Sequence, residues 1–381
     1  VQLAEAERRF GRLAERYDCL VRARAQLQKS EDQKALGDAL IALGSSMMEP
    51  AMNATDRFTR AGRVLREALE LMRSIGDRHG VAEAFRNLAR LEIEMGNYEE
   101  AESTAKQALR IHEALGAPLN IGMTLRRLGV AKLLNAKIES AVQDLDRAID
   151  FLERVGDKMA VADVLFAKGV GAMNKLDFST AKAELGEARR IKESFGSSWE
   201  LFDVRNHLAI VAMWFGNFTE AERMLELTLE HVDEHGTAED RAVARSLMGL
   251  LRCFQSRLHL AALEMGRARA DAEDLGTPRI TDFCEANAAF YAKLTNNEST
   301  YSDLIETVSQ APVLNDIQPT VWLELLDKMG EHVLEGERSR QSARLIKTVA
   351  VFWDAFGYPQ REEALVEKIE ALEIDLDPRR L

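Results

Sequence analysis

Disulfide chemistry has little to work with in this chain, whose 381 residues carry three cysteines, Cys19, Cys253 and Cys284, at unrelated spacings. So sparse and odd a set excludes a disulfide-stapled secreted scaffold and a Cys-based metal module, and suits a reducing cytoplasm. Proline is nearly as scarce. All seven sit in breaks or near helix starts, so no linker of stiff or flexible composition divides the sequence. No apolar run approaches the ~20 residues of a membrane-spanning helix, and no secretory leader is recognisable. Basic residues are outnumbered, 50 Lys and Arg against 63 Asp and Glu, leaving a net charge of −13. That balance argues against general nucleic-acid binding, which needs a basic footprint. There is neither a Walker-type lysine loop nor a nucleophile elbow, so nothing supports an enzyme or a cofactor. The first residue is Val rather than Met, as expected of a piece of a longer protein.

What the sequence does have is a period. Gly76, Gly116, Gly156, Gly196, Gly236 and Gly276 fall 40 residues apart without a slip. Twelve positions after each glycine stand Leu88, Leu128, Lys168, Leu208, Met248 and Ala288, and the next position is always small: Ala89, Gly129, Gly169, Ala209, Gly249 and Ala289. Further on come Ala101, Ala141, Ala181, Ala221 and Ala261, then Tyr301. Four residues later stand Ala105, Leu145, Leu185, Leu225, Met265 and Ile305. Spacings of three and four are those of a helix burying one face. Small residues at fixed places let two helices approach closely, so each unit predicts a tight antiparallel helix pair. The periodic glycine suits the left-handed residue that closes a helix, and Pro118 and Pro278 suit the first turn of the next one. No strand-like alternation appears. The chain is expected to be an all-α solenoid of antiparallel helix pairs.

Leu88-Ala89, Gly96-Asn97-Tyr98, Ala101, Ala105 and Ala108 resemble the pattern of the tetratricopeptide repeat, and Gly216-Asn217-Phe218, Ala221, Leu225 and Thr228 are similar. The resemblance covers roughly residues 31 to 310. The period is 40 rather than the family's usual 34, and in that respect the chain is similar to Pins-type adaptors and to the sensor arms of MalT-like bacterial regulators. The resemblance implies a superhelix with first helices lining a concave face that binds a peptide or partner protein.

The ends depart from the frame. Residues 1–30 read as an amphipathic helix, a cap on the array or a coiled-coil linker able to dimerise, with Leu3, Ala6, Phe10, Leu13, Tyr17, Leu20 and Leu27 on the seam. The array spans 31–315: an irregular first unit at 31–75, stretched by about five residues around Pro50, then six 40-residue units. Residues 316–381 read as a C-terminal helical cap. Trp322, Phe352, Trp353 and Phe356 are then expected as cap core rather than a binding box or a dimer patch.

Two motif-like strings are better read as packing. His231-Val-Asp-Glu234-His235 has the order of some zinc peptidases, but both histidines occupy columns held elsewhere by Leu, Ile, Phe and Val. Gly169-Val-Gly171 lies mid-helix with no preceding strand, so it is no nucleotide loop. No metal site is expected. The groove positions are more informative. Carried over from the family's inward-facing places, they are Arg86, Asn87, Arg90, Arg126, Arg127, Val130, Val170, Arg205, Asn206 and Ile210. Guanidinium groups pair bidentately with carboxylates, so these arginines within an acidic protein point to a partner with acidic and apolar residues. The other reading of the same positions is a solvated helix face. The leading function is thus a protein-interaction module, cytoplasmic, within a regulatory or scaffolding protein. A small-molecule sensor arm of a bacterial transcription regulator and a purely structural assembly element stand as alternatives.

Overall fold

The computed structural model describes residues 13–48, 56–195, 201–235, 237–273, 275, 277–314, 316–336 and 339–370. Its regular structure is helical, apart from one isolated bridge between Leu314 and Ile317. The helices are α1 Leu13–Leu27, α2 Gln33–Met47, α3 Arg57–Ser74, α4 Arg78–Glu94, α5 Tyr98–Leu115 and α6 Pro118–Leu134. Next come α7 Ile138–Val155, α8 Lys158–Met173, α9 Phe178–Ser194, α10 Phe202–Trp214, α11 Phe218–His235 and α12 Ala238–Phe254. The last are α13 Leu258–Glu273, α14 Pro278–Leu294, α15 Glu298–Val308, α16 Pro319–Gly336, α17 Arg340–Ala355 and α18 Pro359–Glu370. The second helix of each pair starts at Tyr98, Ile138, Phe178, Phe218, Leu258 and Glu298, forty residues apart each time.

Each boundary has a chemical cause. Gly76, Gly116 and Gly156 adopt φ of 72°, 61° and 74°, a region costly for a side chain with a Cβ. The next residue's amide then bonds back across the turn, Asp77 N to Met72 O at 3.0 Å and Asp157 N to Leu152 O at 3.1 Å, closing the helix as a Schellman motif. The same aspartates begin the following helix: Asp77 accepts from Gly80 N and Asp157 from Ala160 N, both at 3.0 Å. Gly196, Gly236 and Gly276 lie outside the described residues, as do Leu3, Ala6, Phe10 and Pro50.

The turn inside each repeat is left-handed in every copy, although only Gly96 and Gly216 announce it. Ala136, Leu176, Ser256 and Asn296 take the same place with φ of 55°, 60°, 62° and 59°. One 6→1 bond recurs in all of them, from Lys137 N to Lys132 O (2.8 Å) and Asp177 N to Ala172 O (2.9 Å) through to Asn297 N to Ala292 O (2.8 Å).

The described residues fall into two compact units. One lies within Val1–Gly171, Ala183–Glu200 and Asp274–Pro278, the other within Ala172–Lys182, Leu201–Glu273 and Arg279–Leu381. In the first, the small column faces the large one directly: a Cβ added at Gly129 would lie 2.7 Å from Leu145, and at Gly169 2.6 Å from Leu185. Gly44 meets Leu65 at 2.6 Å in the same way. There the chain separation is 21 residues instead of 16, so the extra five fall in the α2–α3 turn. Leu20 of α1 is fully buried in the core formed with Leu40 and Leu65. Arg57, buried beside the adjacent Phe58 ring, donates to Thr277 Oγ1 at 3.0 Å, which ties Thr277 to the start of α3.

The second unit repeats the device. A Cβ on Gly249 would meet Met265 at 2.6 Å, and one on Gly330 would meet Ile346 at 2.6 Å. The α16–α17 pair is therefore packed like a repeat, with the same 16-residue separation, although its sequence had lost the pattern. Phe352 sits in an aromatic core with Phe290, Tyr301 and Trp322 at centroid distances of 5.5–5.7 Å. Trp322 is fully buried and donates Nε1–H to Asn287 Oδ1 at 3.0 Å. Tyr301, the departure from the alanine column, is accounted for by this stacking.

Candidate functional site

The groove positions divide by burial. Arg86, Arg90, Arg126, Arg127 and Val130, on α4 and α6 of the first unit, are half-buried. Val170 in that unit is 4% exposed, while Asn206 and Ile210 in the second are 1% and 0% exposed. The last three present almost no surface to a ligand. Arg205 is half-buried in the second unit. Asn87 is 7% exposed, and its amide donates to the carbonyl of Glu83, one turn back, at 2.8 Å. One of its two amide hydrogens is thus already used within its own helix.

Four of the arginines are linked electrostatically. Burial, followed by Arg126, Arg90 and Arg86, holds the Arg127 guanidinium well below its ordinary pKa, with Glu94 opposing. Arg127 is closely surrounded yet still reached by solvent. Two of the others have carboxylates beside them: Arg86 grips both oxygens of Glu83, and Arg126 Nη1 lies 3.6 Å from Asp163. Arg127 has neither hydrogen bond nor ion pair with any described residue. The acidic groups that act on it, Glu94 and Asp163, do so from beyond ion-pair distance.

Two buried bases frame this cluster, and they follow a rule. Seven residues after the glycine frame stand Glu83, Met123 and Asp163; thirty-six residues after it stand His112, Leu152 and Lys192. Where the first place is acidic in this unit the second is basic, and where one is apolar so is the other. Lys192, 6% exposed, donates to Asp163 Oδ1 at 2.7 Å. His112, fully buried, has Nε2 at 3.4 Å from Glu83 Oε1, within ion-pair reach but not aligned as a hydrogen bond. Asn120 Nδ2 also donates to Glu83 Oε1 at 2.8 Å. Burial alone would raise the Glu83 carboxyl, but Arg86, His112 and Asn120 outweigh it and hold it well below the usual carboxylate range. At Asp163 burial is likewise offset, by Arg126 and Lys192.

His112 and Lys192 were missed in the sequence, where they interrupt a column otherwise held by Met72, Leu152, Val232 and Ala272. A polar residue in a buried column was the signal available. His231 is half-buried, with Nδ1 2.7 Å from Leu227 O in its own helix. The side chains of Glu234 and His235 lie outside the described residues. Gly169 and Gly171 pack against Leu185 and Leu133.

Residues 51–114 match the family model of the tetratricopeptide repeat. No curated protein matches the chain. Among solved structures it is similar to the crystal structure of a Rap protein complexed with Competence and Sporulation Factor, with a TM-score of 0.61, 10% identity and 98% of each chain covered. It is also similar to a signal transduction ATPase with numerous domains and a tetratricopeptide repeat sensor, from Pyrococcus horikoshii. There the TM-score is 0.47 and the identity 12%, over 95% of this chain and 52% of that one. Likeness at such identities shows the fold alone, and the second carries no argument. With the forty-residue helix pairs, these matches show an all-α solenoid of tetratricopeptide-repeat type. Among the described residues, no helix is long and apolar enough to cross a membrane.

Proposed function

We propose that this solenoid is a protein-interaction module that holds an acidic group of a partner protein or peptide on the arginine cluster of its first unit. The observation that carries this reading is Arg127, which makes no hydrogen bond or ion pair with any described residue and is acted on by the charges of Arg86, Arg90 and Arg126 more than by that of Glu94, in a chain of net charge −13. A cation held among cations is unfavourable in the free protein, and an incoming carboxylate or phosphate relieves that repulsion. Half-burial makes the contact worth more than one between exposed charges. Val130, half-buried one turn beyond Arg126 on α6, supplies apolar contact beside the charge. A protein of this fold has been solved in complex with a factor. The likeness extends to fold only, so the argument for a ligand rests on the site itself.

The test is selection from a random peptide display library on the immobilised chain, followed by affinities of the selected peptides for wild type and for Arg127→Gln. Enriched Asp or Glu, with at least a tenfold weakening in the variant, is the expected result. Selected peptides without acidic enrichment, or equal affinities, would refute the site. Arg90→Glu combined with Arg126→Glu should abolish binding with helicity unchanged.

A further inference from the structure

The buried end of this region contains a second constellation that the anion site does not use. His79 and Glu83 lie four residues apart on α4, and so on one face of it. His112, in the last turn of α5, brings a third donor. The nearest donor atoms of the three all lie within 4.8 Å of one another.

The hydrogen bonds around His112 fix which of its nitrogens is which. Thr124 Oγ1 donates its proton to Asn120 O at 2.7 Å. It therefore meets His112 Nδ1, 3.0 Å away, as an acceptor, so Nδ1 carries the ring proton. In the neutral ring, Nε2 then holds a lone pair. It is fully buried, lacks a hydrogen-bond partner, and lies 3.4 Å from Glu83 Oε1. Two acceptors this close in a buried setting call for a cation near both. Either a second proton on His112 or a metal ion supplies it.

His79 favours the metal. Its exposed ring stands 5.9 Å, centroid to centroid, from that of His112. With Zn–N and Zn–O bonds of about 2.0–2.2 Å, neighbouring ligands of a tetrahedral zinc lie roughly 3.3–3.5 Å apart. The Glu83–His112 edge already has this length, and His79 has to close by no more than about 1.4 Å to complete the triangle. The Thr124 contact is the outer hydrogen bond that ligating histidines generally make through their other nitrogen.

We infer that His79, Glu83 and His112 form a binding site for a zinc-class divalent ion, with the fourth position open to water or to a ligand oxygen. Two nitrogens and a carboxylate suit zinc better than calcium or magnesium. Glu83 Oε1 also takes Asn120 Nδ2 at 2.8 Å and Arg86 Nε at 3.2 Å. The ion enters in competition with those contacts, so the site fills on addition of metal and empties with a chelator.

The experiment is calorimetric titration of the untagged, chelator-treated chain with zinc chloride, with cobalt(II) absorption as a second readout of tetrahedral nitrogen and oxygen ligation. One zinc per chain is expected. His79→Ala, which alters an exposed side chain and leaves the core intact, should weaken it at least tenfold with circular dichroism unchanged. His112→Gln should weaken it similarly, and His231→Ala should have no effect. Absence of stoichiometric binding, an undiminished affinity in His79→Ala, or a loss confined to His231→Ala would overturn the assignment. So would His112 found doubly protonated by NMR in the presence of saturating zinc.

Discussion

Gly169 and Gly186 are both helical glycines of the first unit, on α8 and α9, and alanine should affect them in opposite directions. An alanine Cβ at 169 would lie 2.6 Å from Leu185 Cγ and 2.8 Å from Cδ2. Carbon pairs prefer ~3.5–4.0 Å, so the overlap is about 1 Å. Leu185 is fully buried and the contact is with its branch rather than a free end. Relieving such overpacking typically costs ~1–3 kcal/mol, against about 1 kcal/mol that Ala gains over Gly inside a helix. Ala209 stands in the same column opposite Leu225, with both fully buried, which places the cost in the lower part of that range. Gly169→Ala should therefore lose roughly 0–2 kcal/mol. At Gly186 an added Cβ meets nothing within 4 Å, so Gly186→Ala should gain ~0.5–1 kcal/mol. The assay is urea unfolding followed by far-UV circular dichroism. Hydrogen exchange of the α8 amides should accompany it, because a repeat array need not unfold in one step. Adding Leu185→Ala should make the cost of Gly169→Ala smaller, a coupling that a double-mutant cycle measures. Equal stabilisation by both alanines would refute the claim that the small column is set by contact with the facing helix.

The remaining predictions concern strain, charge and pH. Leu176 is 41% exposed and left-handed at φ 60°, so Leu176→Gly should remove about 1–2 kcal/mol of backbone strain, less some chain entropy; a lower melting temperature would contradict this. Arg127→Met removes a cation repelled by its neighbours, and should raise the urea midpoint of the free protein while weakening peptide binding; a lowered midpoint would show the repulsion to be already relieved. Burial, helped by Glu285, pushes the half-buried Asp282 up to about 6. Its carboxyl is neutral in both states at low pH, and ionisation is penalised only in the folded state. The wild type thus loses stability as pH rises from ~4 through 6. Asp282→Asn should match the wild type in melting temperature at the acid end and exceed it from pH 6 upward, and a constant offset across the series would contradict the assignment.

The frame of this fold was legible because its causes are local and repeated. A glycine that must be left-handed, an aspartate caught between two helices, and a small residue facing a leucine leave marks at fixed intervals. The left-handed places at Ala136, Leu176, Ser256 and Asn296 left none, since the backbone bond that holds them is indifferent to the side chain. The repeat-like packing of α16 on α17 was hidden because only Gly330 and Ile346 preserve it. In the candidate site, the arginines of α4 and α6 followed from register. Asn87, Val170, Asn206 and Ile210 were singled out by that same register, but burial depends on neighbours that a single repeat does not specify. His79, Glu83 and His112 come from different columns and meet only through the way α4 packs on α5.

The contact between the small and the large column is made sixteen residues apart, inside one repeat. A forty-residue segment copied in tandem within the array, wherever the copy begins, therefore adds one whole contact of this type to it. The gene can lengthen or shorten by such units while every helix pair keeps its own fit. The pairing of α2 with α3 shows the complementary freedom: Gly44 and Leu65 stand five residues further apart in sequence than the other pairs, and Gly44 still finds Leu65. Length is thus open to evolutionary drift in steps of one repeat or of a few loop residues. The charged pairs set seven and thirty-six residues into the frame can meanwhile change from copy to copy, giving each repeat its own chemistry.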